Sequence, residues 1–167
     1  MILVSDTSVL IDLQRGGLLE ALFALPHEFA VPDVLYDHEM QGDWGEGLVR
    51  LGLRVEEVSK EGVANALRYR QQRTSLSVPD SFALALAKER QWLLLTGDSP
   101  LRELAGGEDV ECHGVLWLLD ITEEAGIPAI QSLHDGLAAL AAHPRCRLPR
   151  REITLRLERY LVVIGRQ

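Results

Sequence analysis

Four acids stand where a chain of alternating strands and helices can bring them to one place. Asp6 follows the apolar run Ile2-Leu3-Val4, and Asp98 follows the run Trp92 to Leu95. Asp80 comes directly after Pro79 at a helix start, and Glu39 lies on a short helix after Pro32. In a parallel α/β sheet, ligands sit beyond the carboxyl ends of the strands, so these acids can line one pocket. Carboxylates do not cluster unneutralised at neutral pH. A hard divalent cation with oxygen ligands, Mg²⁺ or Mn²⁺, resolves such a cluster. Ions of that kind do phosphoryl chemistry by holding a water in line with a phosphate and lowering its pKa.

Each acid also has an ordinary use. Asp6 suits a cap on the helix opening near Ser8, and Asp80 suits the positive end of a helix dipole. Asp98 suits a turn beside Gly97, and Glu39 suits a solvated face. Their joint placement favours the shared pocket. Asp12, Asp33, Asp37 and Asp120 sit at no strand end and read as solvated. Asp37 is two residues from Glu39, on nearly the opposite helix face. Glu39 shares a face with Leu35, which makes it the inward one. His27, His38, His113, His134 and His143 form no pair at metal-ligand spacing, and adjacent Cys112-His113 suits zinc poorly. All five histidines read as structural or surface residues.

The elements that must position these acids are short. Strands are expected at Ile2–Val4, Phe29–Val31, Leu53–Val58, Trp92–Leu95 and Asp109–Cys112. Helical patterns cover Ser8–Leu25, Val34–Met40, Glu61–Gln71 and Pro79–Glu89. Ser99-Pro100 opens another, with the serine as cap and the proline at the first helical position. Leu116–Ala125, Ile127–Ala141 and Pro149–Ile164 complete the set. Trp44 among Gly42, Gly45 and Gly47 reads as a loop. The alternation argues for an α/β fold: three layers, α/β/α, around a central, mostly parallel sheet of four or five strands.

Length and composition agree. The 167 residues are 47% hydrophobic and 25% charged, as in an ordinary single domain, with no disordered or repeat composition. No run of about 18 apolar residues is present to span a membrane. The start MILVSD lacks a basic leader, and the two cysteines form no framework, so a reducing cytoplasm is expected. Net charge is −8, but unevenly spread. Residues 143–167 hold seven arginines against two glutamates, or +5, and the first 142 residues hold −13. The expected organisation is therefore an acidic body at 1–142 and a basic extension at 143–167 packed on the same domain. Arg150 and Arg151 are candidates for phosphate contact, with a solvated face as the plain alternative.

The segments Val4-Ser5-Asp6-Thr7-Ser8-Val9-Leu10-Ile11, Val31-Pro32 with Glu39, Val78-Pro79-Asp80-Ser81-Phe82-Ala83-Leu84-Ala85-Leu86-Ala87, and Leu94-Leu95-Thr96-Gly97-Asp98 with Leu101-Arg102 occur in this order. Together they resemble PIN-domain ribonucleases of the kind that serve as toxins in toxin–antitoxin pairs. The resemblance covers roughly the first 125 residues. It implies endonucleolytic cleavage of single-stranded RNA, dependent on Mg²⁺ or Mn²⁺. Asp6, Glu39, Asp80 and Asp98 would then be the catalytic, metal-holding acids, with Thr7 and Thr96 bonded to them from behind. It also implies an antitoxin partner and a homodimer, for which Leu18, Leu19, Leu22, Phe23, Leu67 and Tyr69 offer apolar surface. Two phosphotransfer rivals fit poorly. A dehalogenase-like phosphatase needs a second aspartate where Ser8 stands, and a response-regulator receiver needs a strand-end lysine that neither Lys60 nor Lys88 supplies. The alternative that stands is a catalytically inactive PIN-like protein-binding module.

Overall fold

The computed structural model describes residues 1–167. The fold is α/β, built on a five-stranded sheet in which every neighbouring pair is parallel. The strands are β1 (Ile2–Ser5), β2 (Glu28–Pro32), β3 (Arg54–Glu56), β4 (Leu93–Leu95) and β5 (Cys112–His113), in the order β3-β2-β1-β4-β5. All three residues of β4 are buried, as a strand covered on both faces requires. The edge strands β3 and β5 are shorter and less buried than the sequence pattern suggests.

The chain forms two compact units that do not follow chain order. The first holds Met1–Val9 and Pro26–Gly114, and the second holds Leu10–Leu25 and Val115–Gln167. The first contains the whole sheet. Its helices are α3 (Asp33–Leu35), α4 (Asp43–Leu51), α5 (Lys60–Gln72), α6 (Val78–Arg90) and α7 (Ser99–Gly107). Helix α6 lies against β1, β2 and β4, and its run Ala83–Ala87 is buried without a break. Ser77 caps it by accepting the Asp80 N–H at 3.2 Å, and Gln91 ends it in the left-handed region at φ 55°. Helix α1 (Thr7–Arg15) starts in this unit, capped by Asp6, and runs on into the second.

The second unit adds α2 (Leu19–Phe23), α8 (Val115–Ala125), α9 (Ile130–Ala142) and α10 (Arg150–Ile164). The continuous helix expected over Ser8–Leu25 is broken after Arg15, where Gly17 turns through φ +66°. Helices α9 and α10 pack as a hairpin. Asp120, expected in solvent, is instead an ion-pair hub. It accepts from Arg156 at 2.6 and 2.9 Å and from Arg159 at 2.9 Å. Glu123 and Glu152 complete the arginines' partners. Asp12 is likewise half-buried and pairs with Arg15 at 3.4 Å. Half of the six apolar residues read as dimer surface are core: Leu18, Leu22 and Tyr69 are buried, Leu19 and Phe23 are half-buried, and Leu67 alone is widely exposed, at 54%.

The segment that carries Glu39 departs most from expectation. Helix α3 widens into a π-helical turn, Tyr36–Met40, and the glycine-rich stretch after it is helical rather than looped. Gly45 explains the second point. A Cβ there would stand 1.8 Å from the Met40 carbonyl oxygen, so only glycine lets α4 pack against the end of the π-turn. Gly47, on the same helix, has nothing nearer than the Arg50 guanidinium at 3.9 Å. Gly45→Ala is therefore expected to destabilise by more than about 3 kcal/mol. Gly47→Ala should raise stability by up to about 1 kcal/mol through helix propensity. Thermal melts check both, at roughly 2–4 °C per kcal/mol for a chain of this size. Equal melting points for the two variants would refute the close-approach account.

Candidate functional site

From β1 the chain moves to β2 and β3 on one side, then returns to β4 on the other. The strand order reverses between β1 and β4, and a crevice opens there at the carboxyl ends. Asp6 leaves β1 at that point, its N–H bonded to the Leu95 carbonyl of β4 at 3.0 Å. Asp98 leaves β4 two residues beyond Thr96.

Asp6 is 3% exposed and fully engaged. Its Oδ1 accepts from the Val9 N–H and the Ser8 hydroxyl, both at 2.9 Å, which caps α1. Its Oδ2 accepts from the Thr96 hydroxyl at 2.5 Å. The same hydroxyl accepts the Asp98 N–H at 3.0 Å. Asp98, not Ser99, caps α7: its Oδ2 accepts from Leu101 N–H at 3.0 Å, which places Pro100 second in the helix. An aspartate outbids the adjacent serine because its charge also meets the helix dipole. Thr7 donates its hydroxyl to Glu39. Glu39 is exposed while Leu35 is fully buried, so the shared-face argument from helical spacing does not describe this segment. The widened turn alters the angular relation of positions four apart. Asp37 lies elsewhere on the turn, its carboxylate toward Gln41.

The acids act on one another. Burial pushes the Asp80 carboxyl up from its ordinary 3.8 to about 6, against a hydrogen bond with Ser77. The charges of Asp6, Glu39 and Asp98 add to the push, so all four acids face a common space. Burial also raises Asp6; bonds from Thr96, Val9 and Ser8 oppose it, and the charge of Asp98 reinforces it. Cys112, near Asp6, has its thiol raised by burial and is no thiolate nucleophile. The space offers carboxylate oxygens and hydroxyls, the donor set of a hard cation. No three His, Cys, Asp or Glu side chains are gathered tightly enough to hold an ion as they stand. Glu39 and Asp98 are exposed.

Arg150 and Arg151 lie elsewhere, exposed on the first turn of α10 in the second unit and outside any ion pair.

The family described as DUF3368, PIN domain, matches residues 2–160. The chain belongs to the PIN-domain family. PIN domains have a nuclease-type fold, act on RNA and typically use divalent metals. The match runs through both compact units and takes in most of α10, well beyond the first 125 residues whose motifs carry the resemblance. No curated protein matches the chain. No helix of this PIN-domain protein is long and apolar enough to cross a membrane.

The raised Asp80 pKa sets a pH dependence with a definite sign. Between 3.8 and about 6 the folded protein holds a proton on Asp80 that the unfolded chain has released. Stability therefore falls as pH rises through that window. In EDTA, wild-type protein should lose melting temperature from pH 4 to pH 6.5 relative to Asp80→Asn, which has no such group. Saturating Mn²⁺ should restore the wild type, by about 2.7 kcal/mol at a hundredfold excess over its dissociation constant. Parallel pH profiles for the two proteins would remove Asp80 from the acidic cluster.

Proposed function

We propose that this PIN-domain protein is a divalent-metal-dependent endoribonuclease that cuts single-stranded RNA. Asp6, Glu39, Asp80 and Asp98 are its catalytic acids and the ligand set for Mg²⁺ or Mn²⁺. The observation that carries this reading is the mutual push on Asp80 from burial and three neighbouring acids at the point where the strand order reverses. Carboxylates held in this way have no cationic partner of their own and call for one. The bound cation would neutralise that charge, acidify a water and offset charge growing on phosphate oxygens.

The chain's own groups then have separate tasks. Asp6 is held by three hydrogen bonds, so its carboxylate is oriented before anything binds. Val9 and Ser8 occupy both lone pairs of Oδ1, and Oδ2 keeps one for a ligand. Thr96 fixes Asp6 and the Asp98 backbone together, and Thr7 does the same for Glu39. Asp80 carries the push of burial and three like charges, which a bound cation would relieve, so it would join the other acids in holding that cation. Water adds to phosphorus as the ester P–O bond breaks, leaving one phosphate end and one hydroxyl end.

The toxin-type reading, with an antitoxin partner, rests on the ordered motifs around the four acids. A homodimer is supported by Val63 and Leu67, which stand exposed four residues apart on α5. Arg150 and Arg151 supply unpaired cations for RNA phosphate. A cytoplasmic location agrees with two free cysteines, Cys112 and Cys146.

Mixed, labelled single-stranded RNAs test the activity directly. Cleavage is expected in Mn²⁺ and none in EDTA. Asp6→Asn and Asp80→Asn should each lose at least about a hundredfold, and Thr96→Val about 10–100-fold. Cleavage that survives EDTA would overturn the mechanism. A protein that neither cleaves RNA nor gains stability from Mn²⁺ is the inactive binding module instead.

A further inference from the structure

We propose that Arg102 is a substrate-binding residue, gripping an RNA phosphate at the β4–β5 side of the acidic pocket. The inference rests on the nuclease reading above.

The sheet-bearing unit holds 17 acids and 9 bases, the whole net charge of −8. A polyanion approaching it meets repulsion everywhere except where a cation stands uncompensated. Five of the unit's arginines are neutralised by carboxylates: Arg50 by Glu46, Arg54 and Arg90 by Glu56, Arg68 by Glu108, and Arg73 by Glu103. Arg102, like Arg70, is in no ion pair. Its Nη2 donates instead to the Thr96 carbonyl oxygen at 2.8 Å, which holds the guanidinium at the end of β4 without cancelling its charge. Thr96 is the residue whose hydroxyl holds Asp6, so the cation and the buried acid are fixed through the same residue.

The seat for this guanidinium is shaped. A Cβ on Gly114 would come within 3.2 Å of Arg102 Nη2 and 3.5 Å of the Thr96 oxygen. Glycine at the end of β5 leaves the room that a side chain would take. Arg102 also sits in the first turn of α7, its N–H on the Asp98 carbonyl at 3.0 Å. Its position therefore follows that of Asp98. One N–H is spent on Thr96, and the residue is exposed, so the remaining donors of the planar fork are open to a ligand. A phosphate is the ligand that a charged, forked donor at that position takes.

The test separates a phosphate contact from a mere clamp. Binding of a short fluorescein-labelled single-stranded RNA of random sequence is followed by anisotropy in Ca²⁺ over a range of NaCl. Arg102→Ala should weaken binding by roughly tenfold, the size of one charge-assisted contact. It should also reduce the slope of log affinity against log salt by about 0.7, the value for one phosphate on a single strand. Arg102→Lys should keep the slope and recover part of the affinity. In Mn²⁺, Arg102→Ala should raise KM more than it lowers kcat. Wild-type binding with an unchanged salt slope in Arg102→Ala, even alongside a lower melting point, would make Arg102 only a clamp on the Thr96 turn and overturn the proposal alone. A wild type that binds no RNA would overturn the nuclease reading and this inference together.

Discussion

The Thr96 hydroxyl is the point on which the site depends. It donates to Asp6 and accepts from the Asp98 N–H, so one oxygen joins the ends of β1 and β4. Without it, the crevice at the reversal of strand order is a gap between two turns. With it, two carboxylate-bearing turns are locked in register with the backbone pairing of Ser5 and Leu95. Thr96 is itself fully buried, so a hydroxyl left unpaired there would carry a desolvation cost of about 1–3 kcal/mol. The fold satisfies that hydroxyl by holding the acids close, although their charges repel.

Charge is organised by unit rather than by chain order. Read along the sequence, residues 143–167 are basic and the rest acidic. In the fold, the second unit combines that segment with Leu10–Leu25 and α8, and its eight acids balance eight bases. Asp120 and Glu123 take up Arg156 and Arg159 within it. The arginine-rich end is thus partly a packing device, which a net-charge count could not reveal. The sheet unit is left with the surplus of acid.

Much of the scaffold was legible because it rests on local rules. The apolar runs before Asp6 and Asp98 are strands buried on both faces, and Ser77-Val78-Pro79 opens α6 as cap and first-turn residues do. What was not legible depends on contacts made elsewhere. Glycines at 42, 45 and 47 argue against a helix, yet α4 forms because a close approach to Met40 needs the missing Cβ at Gly45. The π-helical turn under Glu39 has no signature in side-chain spacing, so a face argument built on ordinary helical periodicity put Glu39 beside Leu35, where it is not. Leu18, Leu22 and Tyr69 looked like surplus apolar surface because spacing along a helix does not say which neighbours close over it.

The choice between structural and functional uses for the acids was less sharp than the sequence made it look. Asp6 and Asp98 are both helix caps, and both lie in the charged cluster. The two uses assist each other. A cap spends one lone pair on a backbone N–H and fixes the carboxylate's rotamer, which removes the ordering cost that a ligand would otherwise impose. It also offsets part of the desolvation that burial imposes on Asp6. Asp80 differs: it sits third in α6, where Ser77 already serves as the cap, so its carboxylate meets burial and repulsion with less help. Burial raises both Asp6 and Asp80, and the charges of Asp6, Glu39 and Asp98 add to the push that takes Asp80 to about 6. The helix starts therefore do two things at once: they use Asp6 and Asp98 as caps and bring those carboxylates within reach of Asp80, where like charges push on one another and a cation would relieve them.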